Sequence, residues 1–157
     1  MSIIYIDDKA VPLIEGGGGG GCFSASTQIS IIDGTKPISE IEVGDLVWAF
    51  DEIGQPTLSK VTETFYHQRD AIYKVVHETG YLDITLNHWV LKADGTYQEL
   101  KDFSIGDSLV TSSNSFSKIL SISFLENAPV YNFKVSHLHS YIANGIKVHN
   151  GGGGGKS

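Results

Sequence analysis

The sequence predicts an all-β protein, and three observations carry the prediction. Short runs rich in β-branched and aromatic residues recur along most of the chain. Turn-forming pairs such as Asp33-Gly34, Asp94-Gly95 and Asn144-Gly145 separate these runs. No window longer than about ten residues keeps the 3.6-residue apolar period of a helix. The hydrophobic fraction of 41% suits one globular domain with its own core.

The predicted strands follow one another with short connections. They cover residues 28–32, 46–50, 61–67, 72–77, 81–86, 108–111, 117–124, 130–135 and 140–143. Two helical turns are predicted at 38–41 and 99–103, and neither is long enough to change the fold class.

An internal repeat indicates two related halves. Residues 38–47 read Ile-Ser-Glu-Ile-Glu-Val-Gly-Asp-Leu-Val, and residues 100–110 read Leu-Lys-Asp-Phe-Ser-Ile-Gly-Asp-Ser-Leu-Val. Each copy leads to a similar strand, at 59–65 and at 117–124. An apolar-Gly-Asp-apolar sequence alone is a common turn-to-strand signal, but the shared order of two elements favours duplication. We expect two β halves that pack about a pseudo-twofold axis.

Two unbroken glycine runs, at 16–21 and 151–155, bracket this body. Such runs are typical of flexible linkers. Residues 1–21 are therefore expected to be an N-terminal flank with its linker, residues 22–150 the domain, and residues 151–157 a C-terminal flank. The ending Gly-Lys-Ser is not a phosphate-binding loop, because that motif needs glycine where Asn150 stands and a helix afterwards.

Charge and cysteine content exclude several classes of function. Eleven basic and 18 acidic residues give a net charge of −7 without a basic patch, so nucleic-acid binding is not expected. The single cysteine, Cys22, excludes an intramolecular disulfide and thiolate-rich metal sites, and no cofactor is predicted. No apolar run reaches the ~18 residues of a membrane span, and no secretory signal is evident. A cytoplasmic monomer is the default expectation.

The front edge of the body can attack the peptide backbone. Cys22 Sγ reaches the Gly21 carbonyl through a five-membered ring, and attack there would leave a thioester. A planar amide resists this, so the protein would have to twist the bond, stabilise the oxyanion and protonate the departing amine. Thr85 and His88, three apart at the end of a predicted strand, are candidates for those donors. A structural role for His88 is the alternative.

The back edge reads His149-Asn150-Gly151. The side-chain nitrogen of Asn150 can attack its own carbonyl, cleaving the chain and leaving a C-terminal succinimide. His149 could protonate the leaving amine, and His139 could activate the Asn150 amide. Asn-Gly is also a frequent turn and deamidates without a catalyst, so the pair alone does not decide.

Three segments together resemble the inteins, within the Hint group, and more narrowly the bacterial intein-like domains. The first begins at Cys22 and runs to residue 47, the second is 80–90 with its Thr-x-x-His, and the third runs from 130 to 150. The resemblance implies a horseshoe fold of two halves without a homing endonuclease. It assigns Cys22 as nucleophile, Thr85 and His88 as its activators, and His139 and His149 as helpers of Asn150.

Two positions depart from the intein pattern. Inteins that splice by the usual route have Ser, Thr or Cys after the terminal Asn, whereas this chain has Gly151, so no branched intermediate can form. The closing block commonly has aspartate where Asn132 stands, so a helper of the first step is expected to be absent. The expected outcome is single-turnover self-cleavage at Gly21–Cys22 and Asn150–Gly151, with the chain's own flanks as substrate. Ligation of the flanks stays open.

Two other functions stay open from the residues. One is a β-rich interaction module between glycine linkers, and the other is a Cys-His hydrolase acting on other proteins. Zinc capture by His137, His139 and His149, with inhibition, is a further possibility.

Overall fold

The computed structural model describes residues 21–149 in full and the backbone of residues 3–6 and 9–12. Asn150 and Gly151, and with them the predicted C-terminal cleavage point, lie outside the described residues.

Within the described residues the chain forms 14 strands and two short 3₁₀ turns, which confirms the all-β prediction. The strands are β1 (Ile3–Ile6), β2 (Lys9–Pro12), β3 (Phe23–Ser24), β4 (Gln28–Ile31), β5 (Gly34–Pro37), β6 (Leu46–Phe50), β7 (Pro56–His77), β8 (Gly80–Ile84), β9 (Trp89–Leu91), β10 (Tyr97–Glu99), β11 (Ser108–Val110), β12 (Phe116–Val135), β13 (Ser140–Ala143) and β14 (Ile146–His149). The 3₁₀ turns are Ile38–Glu40 and Leu100–Asp102. None of the described helical segments has the length and apolar character that crossing a membrane requires.

Two long antiparallel strands, β7 and β12, form the backbone of the fold. They pair from Ile119 with His77 to Val135 with Val61. The sequence predicted four shorter strands here, and the breaks at 68–71 and 125–129 were wrong. Asp70 and Ala71 pair with Ala128 and Asn127, and register shifts at Phe124/Glu126 and Ala128/Val130 absorb the irregularity as β-bulges, which bend the ribbon.

The duplicated turn is the same in both halves. Gly44 N–H donates to the Val61 carbonyl at 2.8 Å, and Gly106 N–H donates to the Ile119 carbonyl at 2.8 Å. The φ angles of the two glycines are 98° and 97°, in the left-handed region that glycine tolerates. Each of these glycines follows a 3₁₀ turn and precedes a short strand, β6 or β11, which pairs with the next long strand, β7 or β12. The predicted repeat is therefore confirmed as a structural repeat.

The last hairpin carries the C-terminal end of the body into the core. Asn144 and Gly145 have φ angles of 47° and 78°, as in the two-residue turns that join hairpin strands, and β13 pairs with β14 across them. The sequence predicted the turn and β13 but not β14. Val148 of β14 pairs with Val90 of β9, which places His149 next to the segment that follows Thr85.

The N-terminal end of the body enters the core through β3. Phe23 pairs with Tyr131 of β12 on one side and with Ile84 of β8 on the other. Phe23 and Ile84 are fully buried, so this crossing is a fixed point of the core. Cys22 is thereby held beside Thr85, which directly follows β8. Before it, β1 and β2 form a hairpin that pairs with β7 at Arg69.

Candidate active site

The backbone of Cys22 is clamped by Thr85. Cys22 N–H donates to Thr85 Oγ1 at 2.9 Å, and Thr85 N–H donates to the Cys22 carbonyl at 3.0 Å. The Thr85 hydroxyl donates its own hydrogen to Asn87 Oδ1 at 2.7 Å. Its lone pairs are therefore left to face the nitrogen of the Gly21–Cys22 bond, where an amine would form if that bond broke.

His88 lies between the two ends of the body. It is fully buried, its ring packs 4.4 Å from the Phe23 ring, and its Nε2 lies 3.1 Å from the His149 carbonyl. A carbonyl only accepts, so Nε2 carries the hydrogen and Nδ1 carries a lone pair. Within residues 21–149 this Nδ1 has no hydrogen-bond partner. The His88 imidazole thus donates to the His149 carbonyl through Nε2 and can accept a proton at Nδ1.

Burial lowers the pKa of His88 from 6.5 to about 3, while the hydrogen bond to the His149 backbone opposes that shift. The ring is therefore neutral at pH 7. The sequence assigned His88 the protonation of the departing amine on the strength of an ordinary pKa. In the folded protein any proton that it delivers must first be taken up at Nδ1.

The carbonyl of Gly21 has a donor that sequence reasoning missed. Asn132 Nδ2 donates to it at 2.5 Å. The Asn132 Oδ1 is fixed by two other donors, the Tyr141 hydroxyl at 2.7 Å and the Phe133 amide at 2.8 Å. These two bonds force the NH₂ group toward Gly21. Replacing aspartate by asparagine here supplies a hydrogen-bond donor, so the expectation that this position offers no help overlooked the amide.

The thiol of Cys22 lies in an apolar pocket. Only 2% of Cys22 is exposed, and its side chain packs with Ile72 and Val130. Burial raises the pKa of the thiol well above its ordinary value, and the carboxylate of Asp70 raises it further. The resting form is therefore the thiol, which has to lose its proton as it attacks.

At the back edge, His149 is enclosed by other rings. The His139 ring stacks on it with centroids 5.9 Å apart, and Tyr97 meets it edge-on at 4.9 Å. His139 itself is exposed and borders a cavity of about 480 Å³, which His137 and His149 also line. Among residues 21–149 no three His, Cys, Asp or Glu side chains are placed to hold a metal ion, so the zinc site considered from the sequence is not formed.

These contacts connect the N-terminal and C-terminal ends of the domain through one buried series of residues, here called the track. It runs from Asn132 through Gly21, Cys22 and Thr85 to His88 and His149, and the bonds in it link residues 61 to 111 positions apart. Such a track can polarise the Gly21 carbonyl, hold the adjacent nitrogen and receive a proton. The family model of the Hint module matches residues 15–139.

The chain belongs to the Hint family.

Solved Hint structures show the same fold. A bacterial intein-like domain from Clostridium thermocellum is 26% identical with a TM-score of 0.77, and the match covers 82% of this chain and 98% of that one. A DnaB intein from Synechocystis sp. PCC 6803 is 26% identical with a TM-score of 0.74, over 83% of this chain and 99% of that one. The Hint fold is that of self-processing domains of the protein-splicing type, which act on their own flanking segments.

A curated relative comes from an animal. Warthog protein 1 of Caenorhabditis elegans is 25% identical over 144 residues, covering 82% of this chain. The match spans 29% of the relative's length, so the rest of that protein has no counterpart in the aligned region.

The Hint site has no room for a side chain at position 21. Gly21 has φ of 103°, and a Cβ added there would lie 2.3 Å from His88 Cα. We expect Gly21→Ala to slow N-terminal cleavage at least about tenfold. The clash of the new methyl group with His88 would move the Gly21 carbonyl away from the Asn132 amide, and one such hydrogen bond contributes ~1 kcal/mol or more. Mass spectrometry of the released flank over time measures this.

Gly106→Ala is the matched control for the strain of that backbone conformation. Gly106 has φ of 97°, and a Cβ there would meet nothing within 4 Å. Equal slowing by both variants would mean that strain, rather than contact with His88, is responsible.

The buried histidines make the stability of this Hint domain depend on pH. Between pH 6.5 and about 3 the unfolded chain binds a proton at His88 that the folded chain does not. The free energy of unfolding should therefore fall by about 1.4 kcal/mol for each pH unit below 6.5, on the order expected for one such residue. Burial lowers the pKa of His67 and His77 in the same direction. Urea unfolding of an uncleaved variant at pH 7, 6 and 5 measures the slope, and a flat profile would contradict it.

Proposed function

We propose that this chain cleaves itself at both junctions, Gly21–Cys22 and Asn150–Gly151, once per molecule. The observation that supports this most is the position of His88, which packs against Gly21 and donates to the carbonyl of His149. The Gly21 end and the His149 end of the body therefore both contact His88. A hydrolase acting on other proteins fits less well, because Cys22 is buried away from external peptides.

The first step is an acyl shift from nitrogen to sulfur. Cys22 Sγ gives its proton to His88 Nδ1 and attacks the Gly21 carbonyl carbon, while Asn132 Nδ2 stabilises the oxyanion. The C–N bond then breaks, and the proton passes from Nδ1 to the Cys22 nitrogen, which Thr85 holds. The product is a thioester between Gly21 and Cys22, with no net loss of atoms.

The second step is cyclisation of Asn150. Its side-chain nitrogen attacks its own backbone carbonyl, the bond to Gly151 breaks, and the proton moves to the Gly151 nitrogen. His149, with His139 stacked on it, is the proposed carrier of that proton. The products are a C-terminal succinimide and a free C-terminal flank.

Cleavage is the proposed outcome because position 151 has no nucleophile to accept the acyl group. The thioester then waits for water or another amine. Ligation of the two flanks requires the freed Gly151 amine to attack the thioester, and it would appear as a product that lacks residues 22–150.

The two steps are separated by two variants. Cys22→Ala should abolish N-terminal cleavage and leave C-terminal cleavage, and Asn150→Ala should do the reverse. Intact-mass analysis over time, with and without added thiol, identifies each product. Persistence of a cleavage in the variant that lacks its nucleophile would contradict the residue roles, and a wild-type chain that stays intact with thiol would favour an interaction module.

A further inference from the structure

Two titratable side chains that the proposed cleavage does not use, Asp70 and His67, border the apolar pocket of the Cys22 thiol. Both lie on β7, in the part of this strand that pairs with Ala128 and Val130 of β12. A thioester formed at Cys22 must be resolved from this pocket.

Asp70 lies on the face that the Cys22 pocket uses. It pairs with Ala128, and Ala128 packs against the cluster of Cys22, Ile72 and Val130. Paired side chains on neighbouring strands share one face of a sheet. Its carboxylate is half-buried and accepts from the Ala71 amide at 2.8 Å. Burial raises the pKa of Asp70 and the bond from the Ala71 amide opposes that shift, and no ion pair within the described part of the chain includes this carboxylate.

His67 approaches the pocket along the same face. It pairs with Val130, which packs on Cys22. It is 5% exposed, and its Nδ1 has no hydrogen-bond partner within residues 21–149. Burial lowers the pKa of His67, while a hydrogen bond with the Tyr66 backbone opposes that shift, so the ring is neutral at pH 7 and the unpartnered Nδ1 can accept a proton. A carboxylate and a buried imidazole therefore lie on the strand positions that pair with Ala128 and Val130, the residues of β12 that pack with Cys22.

We propose that this pocket selects a protonated primary amine as the acceptor of the Gly21 acyl group, Asp70 attracting its ammonium and His67 taking its proton. The proposal rests on the thioester of the proposed function. It specifies the class of nucleophile that replaces the hydroxyl or thiol missing at position 151. The electrostatic effect of Asp70 on the Cys22 thiol supports it, because the carboxylate acts at the reacting sulfur.

The transfer balances without a further reactant. The ammonium gives one proton to His67 Nδ1, and the amine nitrogen attacks the thioester carbonyl of Gly21. The C–S bond breaks, an amide forms, and the sulfur leaves as a thiolate. The second proton of the attacking nitrogen goes to that thiolate and regenerates the Cys22 thiol.

Two thiols of opposite charge test the selection. Cysteamine carries an ammonium and 2-mercaptoethanesulfonate carries a sulfonate, and both release the N-terminal flank by thiol exchange. In Asp70→Asn we expect the release rate with cysteamine, divided by the rate with 2-mercaptoethanesulfonate, to fall roughly tenfold or more. The reason is that a carboxylate a few ångströms from the reacting sulfur attracts the ammonium and repels the sulfonate. Comparing this rate ratio between the variant and the unmodified chain cancels the intrinsic reactivity of the two thiols.

Two variants control for charge and folding. Asp70→Glu keeps the carboxylate and should keep the preference. Asp33→Asn removes an equal charge from the exposed β4–β5 turn and should leave the ratio unchanged. In the unmodified chain, 1 M salt should shrink the preference several-fold, which needs no variant. An unchanged ratio in Asp70→Asn, or none in the unmodified chain, would overturn the selection.

His67→Gln tests the base. It should slow flank transfer to glycinamide at least about tenfold and leave release by the two thiols unchanged, because a thiolate needs no base. Equal slowing of both reactions would overturn the role of His67. Failure of every thiol to release the flank from any variant would instead mean that no thioester forms, and would overturn the proposed function itself.

Discussion

His88→Ala should slow both cleavages of this chain at once. At the N-terminal junction it removes the proposed base of the first step, and loss of an acid–base group typically costs about 10²–10⁴-fold. At the back edge it removes the donor that holds the His149 carbonyl at 3.1 Å, for which at least a tenfold loss of C-terminal cleavage is expected. Both products can be counted in one time course by intact mass.

Thr85→Val is the matched variant for one edge only. Thr85 Oγ1 accepts from the Cys22 amide and makes no contact with His149 that the structure records. N-terminal cleavage should therefore slow while C-terminal cleavage continues. If His88→Ala behaved like Thr85→Val, the two edges would not share His88. Thermal unfolding of each variant distinguishes loss of chemistry from loss of fold.

Asn132→Ala should slow thioester formation about 10²–10³-fold, the usual effect of removing one oxyanion donor. The reason is the bond from Asn132 Nδ2 to the Gly21 carbonyl, in a site from which water is excluded. C-terminal cleavage should be unaffected. The assay is thiol-dependent release of the N-terminal flank at several thiol concentrations, since a slow first step makes the rate independent of thiol.

Tyr141→Phe separates the donor from its orientation. It removes only the hydroxyl that fixes Asn132 Oδ1 at 2.7 Å and keeps the ring that stacks on Phe133. A smaller loss than in Asn132→Ala, near tenfold, is expected because the Phe133 amide still holds Oδ1. A variant Asn132→Ala with unimpaired release would mean that the Gly21 carbonyl needs no donor from this side.

The sequence was most informative where the chain makes local turns. The Gly-Asp pairs at 44–45 and 106–107 predicted two like halves. The turn before each strand needs glycine in a left-handed conformation, and this need is visible in the local sequence. It failed at 68–71, where polar residues suggested a connection but a partner strand far along the chain holds them in β7. Pairing of that kind depends on tertiary neighbours that no local pattern contains.

The candidate site divides in the same way. Cys22, Thr85 and His88 could be chosen from their residue types and spacing, and the structure brings them together. The donor role of Asn132 could not, because it depends on a hydroxyl nine positions away that turns the amide. The neutral state of His88 could not either, since burial decides it.

The track also determines when the chain can react. Its bonds join residues 63, 61 and 111 positions apart and together span residues 21 to 149, so no short fragment of the chain contains the whole site. The last of the described strands in chain order, β14, supplies the carbonyl that orients His88. All-β topologies with such distant pairings fold slowly, in milliseconds to seconds. The proposed self-cleavage would therefore be timed by folding: a nascent or misfolded chain would keep its flanks, and the loss of a flank would record that the domain reached its native state.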